Sequence, residues 1–223
     1  MAQAIWLRSG QCDLSCGRGA SPSPVMVLIL LTGALVVGLP VAFAWYMGVF
    51  KRIVFTETQT EAHIYIFAQH VGPYHNVGRI FGLLEKARKM LPSSEELCCA
   101  MISFDDPRKV DASRLRSLCG ILIPEPLKTV ADDIQHTVQK ETGLTLDRRA
   151  LSGGRALHTH FPFRNVLSYM LGPVKVYPAA RGLPELQETG GQHGCPVEVY
   201  RRQSVEFIFP LEHGEEYRHP AER

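Results

Sequence analysis

The sequence predicts an α+β protein in two parts: a single N-terminal transmembrane helix, then a domain of two strand-helix-strand-strand repeats with pseudo-twofold symmetry. Three observations carry this reading. Residues 25–50 are 26 consecutive positions without a charge, whereas the chain from Lys51 onward is polar and charge-rich. The order strand, turn, helix, strand, strand occurs twice. The two strand-to-helix corners share a pattern, Gly72-Pro73-Tyr74-His75-Asn76-Val77 in the first and Phe161-Pro162-Phe163-Arg164-Asn165-Val166 in the second. Such duplication points to two half-sheets meeting at a central groove, where a ligand would sit.

Composition sets the outer limits. With 45% hydrophobic and 21% charged residues among 223, the chain has enough apolar mass for a core, which excludes wholesale disorder. The net charge is +2 and no basic run exceeds two residues. A phosphate-neutralising stripe is therefore missing, and nucleic acid is not an expected partner.

The chain begins with a short arm, 1–24, and the helix is predicted over 25–47. A stretch of that length at about 1.5 Å per residue spans the roughly 30 Å apolar layer of a bilayer. Trp45 and Tyr46 stand near one end, where amphipathic rings favour the headgroup level, and Lys51-Arg52 closes the run. The rival is a cleaved secretory signal, since residues 25–39 resemble an h-region and Ala42-Phe43-Ala44 a cleavage pattern. A long preceding arm and apolar sequence continuing to Phe50 favour the anchor. The flanking charges tie, Arg8 and Arg18 against Lys51 and Arg52, with the second pair juxtamembrane. That leans toward a luminal N-terminus and a cytosolic domain. Cys98, Cys99, Cys119 and Cys195 lack the spacing of a disulfide framework and read as reduced thiols, and Cys12 and Cys16 in the arm carry no assigned role.

The domain is predicted over 53–214, with repeats at about 61–124 and 154–211 and a short end at 215–223. A strand over 61–71 stops at Gly72-Pro73. Asn76 is placed to cap a helix whose apolar residues Val77, Ile80, Phe81, Leu84, Ala87 and Leu91 recur at three- and four-residue spacing, until Pro92-Ser93-Ser94 ends it. Strands follow at 98–104 and 118–123, separated by the Asp105-Asp106-Pro107 turn. A connecting helix is expected around 129–141. The second repeat opens with a strand at 155–161, continues with a helix marked by Val166, Leu167, Met170 and Leu171, and closes with a hairpin at 197–200 and 205–209.

At these residues the chain resembles the gyrase-inhibitor-like (GyrI-like) small-molecule-binding domain. The features that carry the likeness are Gly72-Pro73-Tyr74 with Gly78 and Phe81, the Phe104-Asp105-Asp106-Pro107 segment, and Val197-Glu198-Val199-Tyr200 followed by Val205-Glu206-Phe207-Ile208-Phe209-Pro210-Leu211. Because the apolar segment directly precedes the domain, and with Phe161-Pro162-Phe163-Arg164-Asn165-Val166-Leu167-Ser168, it is most similar to a testis-expressed, endoplasmic-reticulum-anchored reticulophagy receptor family. That resemblance implies a non-enzymatic single-pass receptor or adaptor in the endoplasmic reticulum membrane, with ubiquitin-like autophagy proteins as partners. The family's long acidic tail with its docking motif has no counterpart in this sequence. Phe81-Gly82-Leu83-Leu84, Tyr74-His75-Asn76-Val77 and Phe163-Arg164-Asn165-Val166 match the bare docking pattern, but they fall on predicted folded elements and read as core.

The candidate ligand-binding residues are Tyr74, Glu198, Tyr200 and Glu206. With Val197 and Val199 facing the core, Glu198 and Tyr200 share the other face of their strand, and Glu206 stands opposite Val205, Phe207 and Phe209. Two carboxylates and a phenol on adjacent strands suit a flat organic cation, as the resemblance also implies. The alternatives are that the glutamates face solvent, or that the pair serves a sensor or hydrolase as acid and base. No nucleophile elbow, phosphate loop or Cys-x-x-Cys pattern supports catalysis. His158-x-His160 has no third ligand at a recognisable spacing, so neither a metal nor a cofactor is expected.

Overall fold

The computed structural model describes residues 23–165, 167–188 and 195–220. The arm up to residue 22 with Cys12 and Cys16, and Val166 of the second corner, lie outside the described residues. The chain divides into two compact units, Met1–Phe43 and Ala44–Arg223.

The apolar run forms α1 (Pro24–Tyr46), one residue offset from the predicted helix. Its most apolar 18 residues reach a mean hydropathy of 2.6, and none of its side chains is buried. At that length it measures roughly 35 Å, enough to cross a bilayer. The Thr32 hydroxyl, which would otherwise be stranded in an apolar medium, donates to Leu28 O and Ile29 O at 2.9 and 3.0 Å.

Among the described residues, the second unit is built on one antiparallel sheet of eight strands. The first repeat contributes β2 (His63–Val71), β3 (Cys98–Ser103) and β4 (Arg116–Pro124) with helix α2 (Val77–Lys89). The second contributes β6 (Gly154–Pro162), β7 (Val197–Tyr200) and β8 (Ser204–Pro210) with helix α4 (Ser168–Ala180). Helix α3 (Ala131–Thr142) connects them, and a short α5 (Pro184–Glu188) follows α4. With edge strands β1 (Thr56–Thr60) and β5 (Asp147–Leu151), the strands run β1-β6-β8-β7-β3-β4-β2-β5, so the halves β6-β8-β7 and β3-β4-β2 mirror one another across the β7–β3 seam.

Two strands escaped the sequence reading. β1 (Thr56–Thr60) directly precedes β2 but pairs with β6 of the other repeat, and β5 (Asp147–Leu151) directly precedes β6 but pairs with β2. The repeats thus exchange their first strands. The two linkers meet closely at Gly153, where an added Cβ would lie 2.5 Å from Thr60 O. The Thr60 hydroxyl ties the crossing by donating to Gly154 O at 2.9 Å.

The alternation of side chains along each strand splits the core between the two faces of the sheet. On one face, Ile64, Ile66, Cys99, Met101, Cys119, Ile121 and Ile123 are covered by Phe81 and Leu84 of α2 and by Ile134 and Val138 of α3. The same face of the second repeat places Phe161, Val205, Phe207 and Phe209 beneath Val176 and Ala180 of α4. The opposite face gathers Tyr65, Phe67, Ile102, Leu118, Val197 and Val199. Cys98 and Cys99 fall on opposite faces, and neither they nor Cys119 form a disulfide among the described residues. Phe81 and Leu84 are buried, so that docking-pattern match is core. Asn76 holds the cap position of α2 as predicted, but its side chain makes no capping bond; a single 3-10 turn, Tyr74–Asn76, feeds the helix instead.

Candidate functional site

Glu198 lies in the middle of β7, on the helix-covered face, and is only 2% exposed. The pairing register sets its neighbours: Met101 opposite it on β3 and Phe207 opposite it on β8. Above it, Tyr177 of α4 donates to Glu198 Oε1 at 2.5 Å, and Tyr200, two residues along the same strand, donates to Oε2 at 2.6 Å. Among the described residues, no lysine, arginine or histidine is a partner of this carboxyl. A buried carboxylate without a counter-charge costs several kcal/mol, more than two phenol hydrogen bonds return. Burial therefore raises its pKa, the two phenols opposing the shift in part. The phenols of Tyr177 and Tyr200 are pushed well above their ordinary range by burial, with the Glu198 charge adding to it.

Aromatic rings close the site. Phe163, Tyr169, Tyr200 and Phe81 form a chain with centroid separations of 4.9, 5.1 and 4.9 Å, running from the β6–α4 corner across β7 to α2. Tyr177 meets Phe207 and Phe209 edge-on. The Ser117 hydroxyl of β4, on this same face, is buried and meets no partner at full hydrogen-bonding geometry among the described residues, though the Cys119 thiol lies close enough to interact with it. Burial pushes the nearby Cys119 thiol up to about 12.

The four residues singled out from the sequence divide. Glu198 and Tyr200 come together as anticipated. Tyr74 lies near enough to feel the Glu198 charge, but its hydroxyl is committed to the main chain, donating to Asp105 O at 2.8 Å and accepting from Asp105 N at 3.2 Å. Burial pushes its phenol up to about 12, against the pull of the Asp105 backbone bond. Tyr74 is thus a clasp at the corner that bounds the site.

Glu206 corrects the reading. Its register partner is Val199, so it belongs to the opposite face of the sheet from Glu198. There Arg201 Nε donates to it at 2.6 Å and His158 Nε2 stands 3.9 Å away. Burial would raise its pKa, but its interactions with His158 and Arg201 reverse this and leave it lowered. The two glutamates therefore line no common groove and form no acid–base pair. A separate small cavity of about 90 Å³ opens on the face of Glu206, bordered by Cys98, Leu122, Val199, Arg201 and Tyr217. His158 takes part in the Glu206 contact and, among the described residues, in no cluster of metal-ligating groups.

Tyr177 and Ser117 were missed. A tyrosine between two helix-breaking residues, Pro173 and Pro178, carries no periodic signal for a site, and Ser117 precedes the run that marks its strand.

No family model and no curated protein matches the sequence. Solved structures of similar shape were found. The C-terminal domain of EcmrR is 10% identical, with a TM-score of 0.43 over 71% of this chain and 96% of that one. EcmrR in its DNA complex is 9% identical, with a TM-score of 0.44 over 83% of this chain and 68% of that one. A hydrolase from Listeria innocua is 6% identical, with a TM-score of 0.40 over 75% of this chain and 97% of that one.

Proposed function

We propose that the domain is a non-enzymatic binding module for a flat organic cation, seated at Glu198 between the phenol rings of Tyr177 and Tyr200. The observation that carries it is a buried carboxyl met by two phenols and, among the described residues, by no cationic side chain. A ligand cation supplies the missing counter-charge, and the rings offer their negative faces to it. Entry requires the ring chain through Tyr169 and Tyr200 to part, since the site is filled in its closed form. The GyrI-like resemblance agrees with this role.

N-Methylacridinium, a flat permanent cation, tests the reading against its neutral isostere anthracene. Calorimetry on the detergent-solubilised full chain should give binding for the cation alone, loss of it in Glu198→Gln, and proton release on binding at neutral pH. Equal affinity for the neutral isostere, or unchanged cation binding in Glu198→Gln, overturns it.

The second part of the reading is that α1 anchors the domain in a membrane, which its length, its lack of charge and its full exposure support. The resemblance alone adds the endoplasmic reticulum, the cytosolic placement of the domain and an adaptor role toward ubiquitin-like autophagy proteins. Protease protection on sealed microsomes checks the topology. Pull-down with purified ubiquitin-like proteins, beside a tailed family member, checks the adaptor role.

A further inference from the structure

Helix α4 faces two ways. Its inner side sets Val176 and Ala180 on the sheet and Tyr177 over Glu198. Its outer side presents Leu167, Met170 and Val174 at three- and four-residue spacing, with Met170 and Val174 67% and 69% exposed. The chain between α1 and β1 adds Phe50 and Val54, both exposed. Exposed apolar side chains grouped this way mark a contact surface.

The same helix is bound to the turn that leaves α1. Lys175 Nζ donates to Gly48 O at 3.4 Å and Lys51 O at 2.6 Å, and also to Val49 O. Asn165 Nδ2 approaches Met47 Sδ at 3.4 Å, and the Arg164 guanidinium lies over the Tyr46 ring at 5.3 Å. Gly48, at φ +78°, packs so closely on the β6 corner that a Cβ would stand 2.7 Å from Pro162 Cγ. The apolar side of α4 and the exit of the apolar helix are thus one fixed surface.

We propose that this surface, α4 at Leu167, Met170 and Val174 together with Phe50 and Val54, lies in the interfacial layer of the bilayer that α1 crosses. The proposal rests on the anchor reading above. An exposed apolar helix side, tied to the residues at which the span ends and near the juxtamembrane Lys51 and Arg52, is placed to seat among the headgroups. Continuity with the span commits the occupant to lipid. One consequence follows for the binding site: the helix that carries Tyr177 is also its lipid-facing wall, so amphipathic cations already partitioned into the membrane reach it first.

The test uses the full chain in phosphatidylcholine vesicles, with p-benzoylphenylalanine replacing one residue at a time: Leu35, Met170, Val174 or Val71. Val71 is the control, 64% exposed and placed at the end of β2, the strand that pseudo-symmetry relates to β6. Irradiation and mass spectrometry should find lipid adducts at 35, 170 and 174, and background at 71. Adducts at 35 without adducts at 170 and 174 overturn the proposal and leave the anchor standing. Absence of adducts at 35 removes the anchor and the proposal with it. Protein adducts in place of lipid adducts at 170 and 174, or lipid adducts at 71 equal to those at 170, also overturn it.

Discussion

The two repeats build the same rung of the sheet from different chemistry. Counted in register from the Pro73 and Pro162 corners, Ser103 opposite Ser117 in the first repeat corresponds to Glu198 opposite Phe207 in the second. One rung holds two small hydroxyls and the other a carboxyl against a fully buried ring. Both lie beside the β3–β7 seam, and the Tyr177 hydroxyl interacts with Ser103 as well as Glu198. Duplication supplies the scaffold, and the departure from symmetry supplies the site. The helices differ in the same way: α2 turns Arg79, Lys86 and Lys89 outward, whereas α4 turns out Met170 and Val174.

The largest contrast is expected on that rung itself. Phe207→Ala removes a fully buried ring packed against Tyr177 and Gly172, and should cost about 3–5 kcal/mol. Ser117→Ala removes a buried hydroxyl that meets no partner at full hydrogen-bonding geometry among the described residues and has only a weak thiol neighbour in Cys119, and should change stability by no more than about 1 kcal/mol. Urea midpoints of the two variants read the difference. Equal losses would mean that the rungs are mechanically alike and that the asymmetry has no bearing on packing.

Next in size is the pH dependence. The folded Glu198 carboxyl keeps its proton to a higher pH than the unfolded one, whose value is near 4.5. Its contribution to stability is therefore fully present below about pH 4.5 and lost as pH rises through the folded value. Asp105, Glu85 and Glu206 have lowered values, so their contributions run the other way and fade as pH falls. The wild-type curve minus that of Glu198→Gln isolates the one carboxyl. The difference should favour wild type at acid pH and the variant at neutral pH. Tyr177→Phe and Tyr200→Phe should each cost about 1–2 kcal/mol in the wild-type background and less beside Glu198→Gln, as a double-mutant cycle would show.

The repeats themselves were legible in the sequence because their strands are apolar runs closed by Pro, and their corners share a motif. Strands β2, β3, β4, β6, β7 and β8 and helices α1 to α4 stand within a few residues of the positions read from periodicity. β1 and β5 were not legible, because Thr-Glu-Thr-Gln-Thr and Asp-Arg-Arg-Ala-Leu at the sheet edges have little apolar content to announce a strand. The site was half legible. Alternation along β7 correctly joined Glu198 to Tyr200, but which face of β8 aligns with it depends on the hairpin register. That register is set by the loop at 201–203 and by the burial of Val205 and Phe207. Tyr177 comes from a distant helix, a contact no spacing rule reveals.

Glu206 gives the smallest expected effect and the sharpest check on the register. Its carboxylate pairs with Arg201, whose side chain is half-exposed, across a loop of the hairpin. Glu206→Gln should therefore shift stability by under about 1 kcal/mol, since solvent screens such a pair. Cation affinity should stay unchanged, because the sheet stands between this residue and Glu198. Calorimetry with the same acridinium probe decides it. A loss of binding matching that of Glu198→Gln would put both carboxylates in one site and break the contrast between the two faces, returning the domain to a paired-carboxylate chemistry that the register here excludes.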